Sequence, residues 1–327
     1  MPSRLSVALV LPFLWLFVAC HADTLVAPLA IRTAAEKSPE PTGSELARHA
    51  SKTFREALYD ARYADLPEAR RLLTAAYLEN PADPEIALLL AHSHLWTLSE
   101  RSRVGDAREP GITDFAILAE HYFGEAAKLA PEDDRIAGWH GGVRLALGDI
   151  HADERTTRTG YFQLRESVRR YPEFNGFSAA FPLSSQPRDS DRFAEAVDLM
   201  WLNLEECGGD DFDRASFDYA PVMDAATTTG RKRVCWNTET VPHNFEGFFL
   251  FMGDLLTKAG DVENAERAYR AARLTPEFRD WRFAPILEAR LANLDARAAA
   301  FARAEHPGEE PEMMFGSDYA CTGCHAR

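Results

Sequence analysis

Apolar and small residues recur every three to four positions along most of the chain from residue 51 to residue 300, and strict apolar-polar alternation is nearly absent. This spacing predicts amphipathic helices and an all-α fold. The clearest periodic stretches end at Pro81, Pro131, Pro172 and Pro276. Because proline cannot continue a helix but starts one well, each of these prolines is expected to separate two helices.

The periodic segment from 259 to 276, AGDVENAERAYRAARLTP, places Ala265, Tyr269 and Ala272 at helical spacing after a Gly-Asp turn. The segment before it, FFLFMGDLL, contains Gly253 among large apolar residues. Small residues let two helices approach closely, and large residues fill the holes between them. This pattern resembles the helix pair of a tetratricopeptide (TPR) repeat.

Related segments occur at 64–81 (ADLPEARRLLTAAYLENP), 119–131 (AEHYFGEAAKLAP) and 139–172, which begins WHGGVRLALGD and ends YFQLRESVRRYP. The resemblance covers residues 51–300 and implies a TPR-like helical-repeat solenoid, in which each pair stacks on the next. We expect an insertion at about 174–244 that contains one helix, DRFAEAVDLMWLNLEEC. Insertions in repeat arrays often build a site on one face.

Residues 1–19 have the features of a signal peptide: Arg4, then the apolar run LSVALVLPFLWLFVA, then small residues. The run of 15 residues is shorter than a membrane-spanning helix needs, so removal is favoured over a retained anchor. Residues 20–50, with EKSPEPTGSE among them, have little to bury and are predicted to form a flexible tether.

The end of the signal, FVAC, resembles a bacterial lipobox, although Phe17 stands where leucine is usual. The resemblance implies lipidation of Cys20 and, because His21 follows, anchoring to the outer membrane. Ordinary cleavage after Ala22 is the alternative. Under the first interpretation, contact with the membrane is only through the lipid at Cys20.

The chain ends in GSDYACTGCHAR, and the C-x-x-C-H spacing of Cys321, Cys324 and His325 resembles the haem-attachment motif of c-type cytochromes. Chance placement of the chain's Cys and His residues would produce this pattern only about 0.002 times per chain. The motif implies haem c, with each thiol adding across one vinyl group and the histidine as the proximal iron ligand. A redox-active C-x-x-C pair and half of a zinc site are the alternatives.

The remaining cysteines fit an exported protein. If Cys321 and Cys324 hold haem and Cys20 holds lipid, Cys207 and Cys235 remain, and they are predicted to form a disulfide in an oxidising compartment. Two small buried hydrophobic residues are the alternative for this pair. We therefore expect a periplasmic protein.

The second axial iron ligand must come from upstream, because only two residues follow the motif. Met313 or Met314 is the first candidate, since neither has an evident packing role in a polar tail spanning residues 301–327. His306 is the runner-up. His140 and His243 in the body are further candidates, and an open position is the remaining possibility.

A tail alone cannot enclose haem, so the helical body is expected to supply the pocket. Two groups of phenylalanines could line it: Phe174, Phe177 and Phe181, and Phe245, Phe248, Phe249 and Phe251. Their helical spacing also suits core packing. The position of the motif is similar to that in four-helix cytochromes c-prime, but Pro307 and Pro311 break the helix required there.

Composition narrows the function. The formal net charge of −15 disfavours binding to nucleic acid or anionic lipid and favours a basic partner. No nucleophile motif, phosphate-binding glycine loop or carboxylate metal loop occurs, which leaves the question of an enzyme open and favours a non-catalytic role. We expect an electron carrier that docks a protein redox partner on its repeat surface. A cell-envelope scaffold lipoprotein with a structural or sensory haem is the alternative, and a haem enzyme is a weaker one.

Overall fold

The computed structural model describes residues 38–104, 112–237 and 243–326. The predicted signal peptide, Cys20 and the predicted tether as far as residue 37 lie outside the described residues. The fold is all-α, as expected, and the described ranges contain no β-strand. The helices are α1 Glu45–Tyr59, α2 Leu66–Glu79, α3 Pro84–Ser99, α4 Ile112–Leu129, α5 Asp134–His151, α6 Glu154–Arg170, α7 Pro172–Leu183, α8 Asp191–Gly208, α9 Ala220–Asp224, α10 Phe245–Ala259, α11 Val262–Ala271, α12 Ala284–Ala292, α13 Leu294–Arg303 and α14 Thr322–His325.

Polar residues at the helix starts explain why the helices begin where they do. A side-chain oxygen at the N-cap accepts a hydrogen bond from a backbone N–H of the first turn, which would otherwise lack a partner. Such N-caps are Ser44, Asp83, Asp133, Asp153, Ser190, Asn244 and Asp261.

Helices that follow one another in the chain pack as pairs: α1 with α2, α3 with α4, α5 with α6, α7 with α8, and α10 with α11. The second helix of each pair also contacts the first helix of the next pair. Glycines allow the closest approaches. A Cβ at Gly160 would lie 2.4 Å from the backbone nitrogen of Leu145, and one at Gly253 would lie 2.3 Å from the ring of Tyr269.

Two clusters of buried apolar residues form the core. The N-terminal cluster runs from Ala47 in α1 to Val143 in α5, and the C-terminal cluster runs from Leu145 in α5 to Ala326. They divide within α5, so this helix contributes to both. The helix pairs therefore form one continuous row, and this row contains two centres of apolar packing.

One predicted boundary is wrong. The tether does not extend to residue 50, because α1 begins at Glu45 and Thr42 donates its backbone N–H to Asp83 at 2.7 Å. Ala47, Ala50 and Phe54 form an apolar stripe that packs into the N-terminal cluster. Within residues 174–244, where the sequence predicts one helix, α8 packs against α7, which spans Pro172–Leu183.

The irregular segment that follows α8 folds back onto the helix pairs. Cys207 and Cys235 are joined by a disulfide, and the short helix at Arg231–Cys235 packs on α7. Tyr171 donates its hydroxyl to the carbonyl of Arg231 at 2.6 Å, and Arg231 forms an ion pair with Glu173. The Cys207–Cys235 disulfide thus fixes this segment to the end of α8.

The C-terminal segment from Met313 onwards is largely buried, contrary to the polar tail expected from its composition, whereas most of residues 305–312 are exposed. Met313, Met314, Tyr319 and Cys324 are all inside the C-terminal cluster, and Met314 is 0% exposed. None of the helices in the described ranges has both the length and the apolar character needed to cross a bilayer.

Candidate functional site

The C-x-x-C-H motif forms a single helical turn, α14, with Cys321 at its N-cap. The backbone N–H groups of Cys324 and His325 both donate to the carbonyl of Cys321, at 3.2 and 3.1 Å. At helical spacing, Cys321, Cys324 and His325 fall within about 100° of one another around the axis, and Gly323 lies on the opposite side. The turn therefore presents both thiols and the imidazole on one side.

Glu100 holds the start of this turn. It is 0% exposed, and its Oε1 accepts hydrogen bonds from the backbone N–H of Cys321 at 3.0 Å and of Thr322 at 2.9 Å. The same oxygen accepts the hydroxyl of Thr322 at 3.1 Å, while Oε2 pairs with Arg103. A buried carboxylate that accepts the first N–H groups of a helical turn acts as a cap supplied from another helix.

The other end of the turn is attached to α10. Asn244 donates its backbone N–H to the carbonyl of Cys324 at 2.6 Å and its side-chain amide to the carbonyl of Ala326 at 2.7 Å. Its side-chain oxygen simultaneously caps α10 by accepting from Gly247. One residue thus caps α10 and fixes the end of the motif.

The Gly323 side of the turn is packed against backbone. A Cβ at Gly247 would lie 2.4 Å from the carbonyl oxygen of Gly323 and 2.6 Å from the Cα of Cys324, so glycine is required there. Trp281 donates its indole N–H to the same carbonyl at 3.3 Å. The Cε of Met314 lies 2.8 Å from the position a Cβ would take at Gly323.

Buried charges hold the segment that leads to the motif. Asp254 on α10 accepts the backbone N–H of Met314 at 2.7 Å and pairs with Arg290 on α12. Arg290 also donates to the carbonyl of Glu312 and to the hydroxyl of Tyr319. Burial removes these charged groups from water, so the ion pair and hydrogen bonds that they form must offset the cost of their lost hydration.

The surroundings of the two thiols oppose their ionisation. Burial, with a contribution from Glu100, raises the pKa of Cys321 well above its usual value. Burial, with a contribution from Glu246, raises the pKa of Cys324 to about 12. A redox-active C-x-x-C pair needs a lowered thiol pKa, so this environment disfavours that interpretation.

The zinc interpretation also lacks support from the surroundings. Within residues 38–104, 112–237 and 243–326, no group of three or more His, Cys, Asp or Glu side chains is placed to hold a metal ion. A structural zinc site needs four such ligands.

The motif lies where the two core clusters meet. Cys321 is half-buried and packs against the N-terminal cluster, whereas Cys324 is a member of the C-terminal cluster. Helix α14 contacts both α1 and α10, the first helices of the first and last pairs. The C-terminus therefore joins the two ends of the row of helix pairs.

A row of half-buried rings continues from this junction, and we call it the aromatic wall: Trp139 on α5, Phe174, Phe177 and Phe181 on α7, and Phe248 on α10. Trp139 contacts Phe174 with 6.5 Å between ring centroids, and Phe177 contacts Phe248 at 5.8 Å. The wall includes four residues proposed from sequence. Two others, Phe249 and Phe251, are 0% exposed and belong to the core.

The residues named from sequence as second axial ligands lie in different surroundings. Met314 packs on Gly323, opposite the thiol side of α14, and Met313 is buried in the C-terminal cluster. His306 is exposed. In the body, His140 pairs with Glu120 at 2.9 Å, and His243 contacts the carbonyl of Val234 at 3.1 Å.

Sequence analysis missed His92 and Glu100, both on or next to α3. His92 is half-buried, and burial, with an electrostatic contribution from His325, lowers its pKa to about 3. It lies in the apolar run IALLLAHSHLW, where a histidine is indistinguishable from a core residue. A signal was nevertheless present, since His92, Trp96 and Glu100 follow at intervals of four and share one helix face.

Comparison of the chain with family models, with curated proteins and with solved structures found no match.

Proposed function

We propose that the protein is an exported c-type cytochrome that transfers electrons to or from a docked protein. One haem c would be bonded to Cys321 and Cys324, with His325 as the proximal iron ligand. The observation that carries this proposal is the construction of α14, which is fixed through Thr322 and Gly323 and turns both thiols and the imidazole to one side.

The donor set and its surroundings fit haem c. Two thiols one helical turn apart with an adjacent imidazole are the groups that bind this cofactor covalently. The half-buried aromatic wall provides apolar surface beside the motif, which haem needs for partial exclusion of water. Bound there, haem c would supply a one-electron iron couple.

The chain's own residues have definite parts in this proposal. Glu100 and Asn244 fix the two ends of α14 and so orient the thiols and the imidazole. Asp254 and Arg290 fix the preceding segment. A binding group held by several buried contacts needs little rearrangement when its redox state changes, which favours electron transfer.

We further propose that the helix pairs form a TPR-like solenoid that docks the redox partner. The net charge of −15 supports a basic partner whose encounter is accelerated by electrostatic attraction. Export to the periplasm is supported by the Cys207–Cys235 disulfide, since such bonds persist in oxidising compartments. Anchoring to the outer membrane through lipid on Cys20 completes the proposal.

One observation favours a second candidate, a cell-envelope scaffold in which haem is structural or sensory. Cys321 and Cys324 belong to different core clusters, so a covalent bridge between them would join the two ends of the molecule. In this case the redox couple would be incidental, and loss of haem would mainly lower stability.

A redox titration followed by visible spectra distinguishes these functions. The wild-type chain is produced with the haem-attachment machinery, with Cys321→Ala/Cys324→Ala as the matched control. Electron transfer predicts a reversible low-spin spectrum, no carbon monoxide binding after reduction, and electron exchange with a basic cytochrome that slows as salt is added. A high-spin spectrum with carbon monoxide binding would contradict electron transfer and favour a sensor or an enzyme.

A further inference from the structure

His92 lies on α3, the helix whose C-terminal end is bonded to the motif through Glu100. His92 and Glu100 lie two helical turns apart on the same face of α3. Glu100 accepts the N–H groups of Cys321 and Thr322. The end of α3 therefore meets the start of α14, and His325 lies one helical turn beyond Cys321.

Packing places His92 and the motif on the same core cluster. Phe123 and Trp139, which the half-buried ring of His92 contacts, pack in the N-terminal cluster, and Cys321 packs against the same cluster. An electrostatic contribution from His325 to the lowered pKa of His92 agrees with this placement.

Aromatic rings hold His92 in place. Its ring meets Phe123 edge to face with 5.0 Å between centroids and Trp139 at 5.4 Å. Trp139 in turn begins the aromatic wall. The ring is thus fixed by packing on two sides at the end of the proposed haem-binding surface, as an axial ligand must be.

We propose that His92 is the second axial ligand of the iron, opposite His325. This inference rests on the proposed function, because it needs haem on Cys321 and Cys324. It is preferred to Met314, which packs on Gly323, opposite the thiol side of α14. Two imidazoles give a low-spin iron without an open position, and a lower potential than a methionine-histidine pair.

The test compares three variants of the haem-loaded full-length chain by visible and electron paramagnetic resonance spectra. His92→Ala is expected to lose the low-spin spectrum, to bind carbon monoxide after reduction, and to recover the low-spin spectrum when imidazole is added. His92→Met keeps a side chain of similar size and is expected to remain low-spin at a higher midpoint potential. Met314→Leu is the control and is expected to keep the wild-type spectrum.

The outcomes separate this inference from the proposed function. Covalent haem whose low-spin spectrum survives both His92 variants would overturn the role of His92 and leave the cytochrome in place. The same holds if Met314→Leu alone becomes high-spin. Absence of covalent haem from the wild-type chain would overturn the proposed function, and with it this inference.

Discussion

The N-terminal and C-terminal clusters are built from similar helix pairs but are completed differently. In the N-terminal cluster, α1 to α4 pack mainly on their neighbours in the chain. The C-terminal cluster is completed by distant parts of the chain: a disulfide, and a terminal segment attached through Asp254 and Arg290. Repeated helix pairs form most of the N-terminal cluster, whereas the C-terminal cluster also needs the segment that carries the motif.

The largest expected effect comes from Asp254→Ala, which removes the buried partner of Arg290 and the acceptor of Met314 N–H. We expect the free energy of unfolding to fall by about 3–5 kcal/mol, because a buried charge is left uncompensated. Urea denaturation measures it.

Glu263→Ala on neighbouring α11 is the matched control, since it breaks only an exposed pair with Arg267. Its expected cost is about 0–1 kcal/mol. Equal effects of the two substitutions would contradict the idea that buried charges complete the C-terminal cluster.

The disulfide is the second difference between the clusters. Cys207→Ala/Cys235→Ala opens a loop with a sequence separation of 28, which corresponds to about 3 kcal/mol in the chain-entropy description. Hydrogen exchange should speed up in α8 and in residues 209–237 while α1 to α4 keep their protection. Faster exchange throughout α1 to α4 would show that the two clusters unfold as one unit.

Glu100 is the main polar link between the clusters. Glu100→Ala removes the acceptor of three hydrogen bonds from Cys321 and Thr322 and is expected to cost about 2 kcal/mol. Limited proteolysis should then cut near the C-terminus, while α10 and α11 stay protected. Glu79→Ala, at the exposed end of α2, should leave the C-terminus resistant.

The smallest expected effect concerns the loss of stability at acidic pH. A hydrogen bond from His140, helped by Arg144, lowers the pKa of Glu120 to about 2. A carboxylate whose pKa is depressed on folding stabilises the protein above its unfolded value near 4.5, and this contribution is lost as the pH falls towards 2. Glu120→Gln should therefore cost about 1 kcal/mol at pH 7, and the difference from wild type should shrink below pH 4.5. A difference independent of pH would contradict this account.

Helix positions could be predicted from sequence where packing is local. Gly253 and Tyr269, placed opposite each other by their spacing, do pack together. The burial of the C-terminal segment could not be predicted. Nothing in the sequence distinguishes the buried charges of Asp254 and Arg290 from charges at the surface until their long-range contacts are known. Glu100 likewise falls in a segment, TLSERSRVGDAREPGITD, that reads as a break between repeats.

The candidate site also has a part that is visible in the sequence and a part that only the folded structure brings together. The motif itself is visible in the sequence because five adjacent residues define it. The role proposed for His92 is not visible in the same way, because its spacing from Glu100 gains meaning only through the folded contacts of Glu100 with Cys321 and Thr322. The start of α1 was missed because Ser44 and Glu45 belong to a polar segment whose apolar stripe begins only at Ala47.

The most direct test of the central claim is the intact mass of the mature protein, made in cells that attach haem and compared with the Cys321→Ala/Cys324→Ala variant. The account predicts that the wild-type chain carries the mass of exactly one haem, with matching absorbance after denaturation, and that the variant carries none. A wild-type chain at its polypeptide mass, from cells in which a control cytochrome is fully loaded, would contradict it.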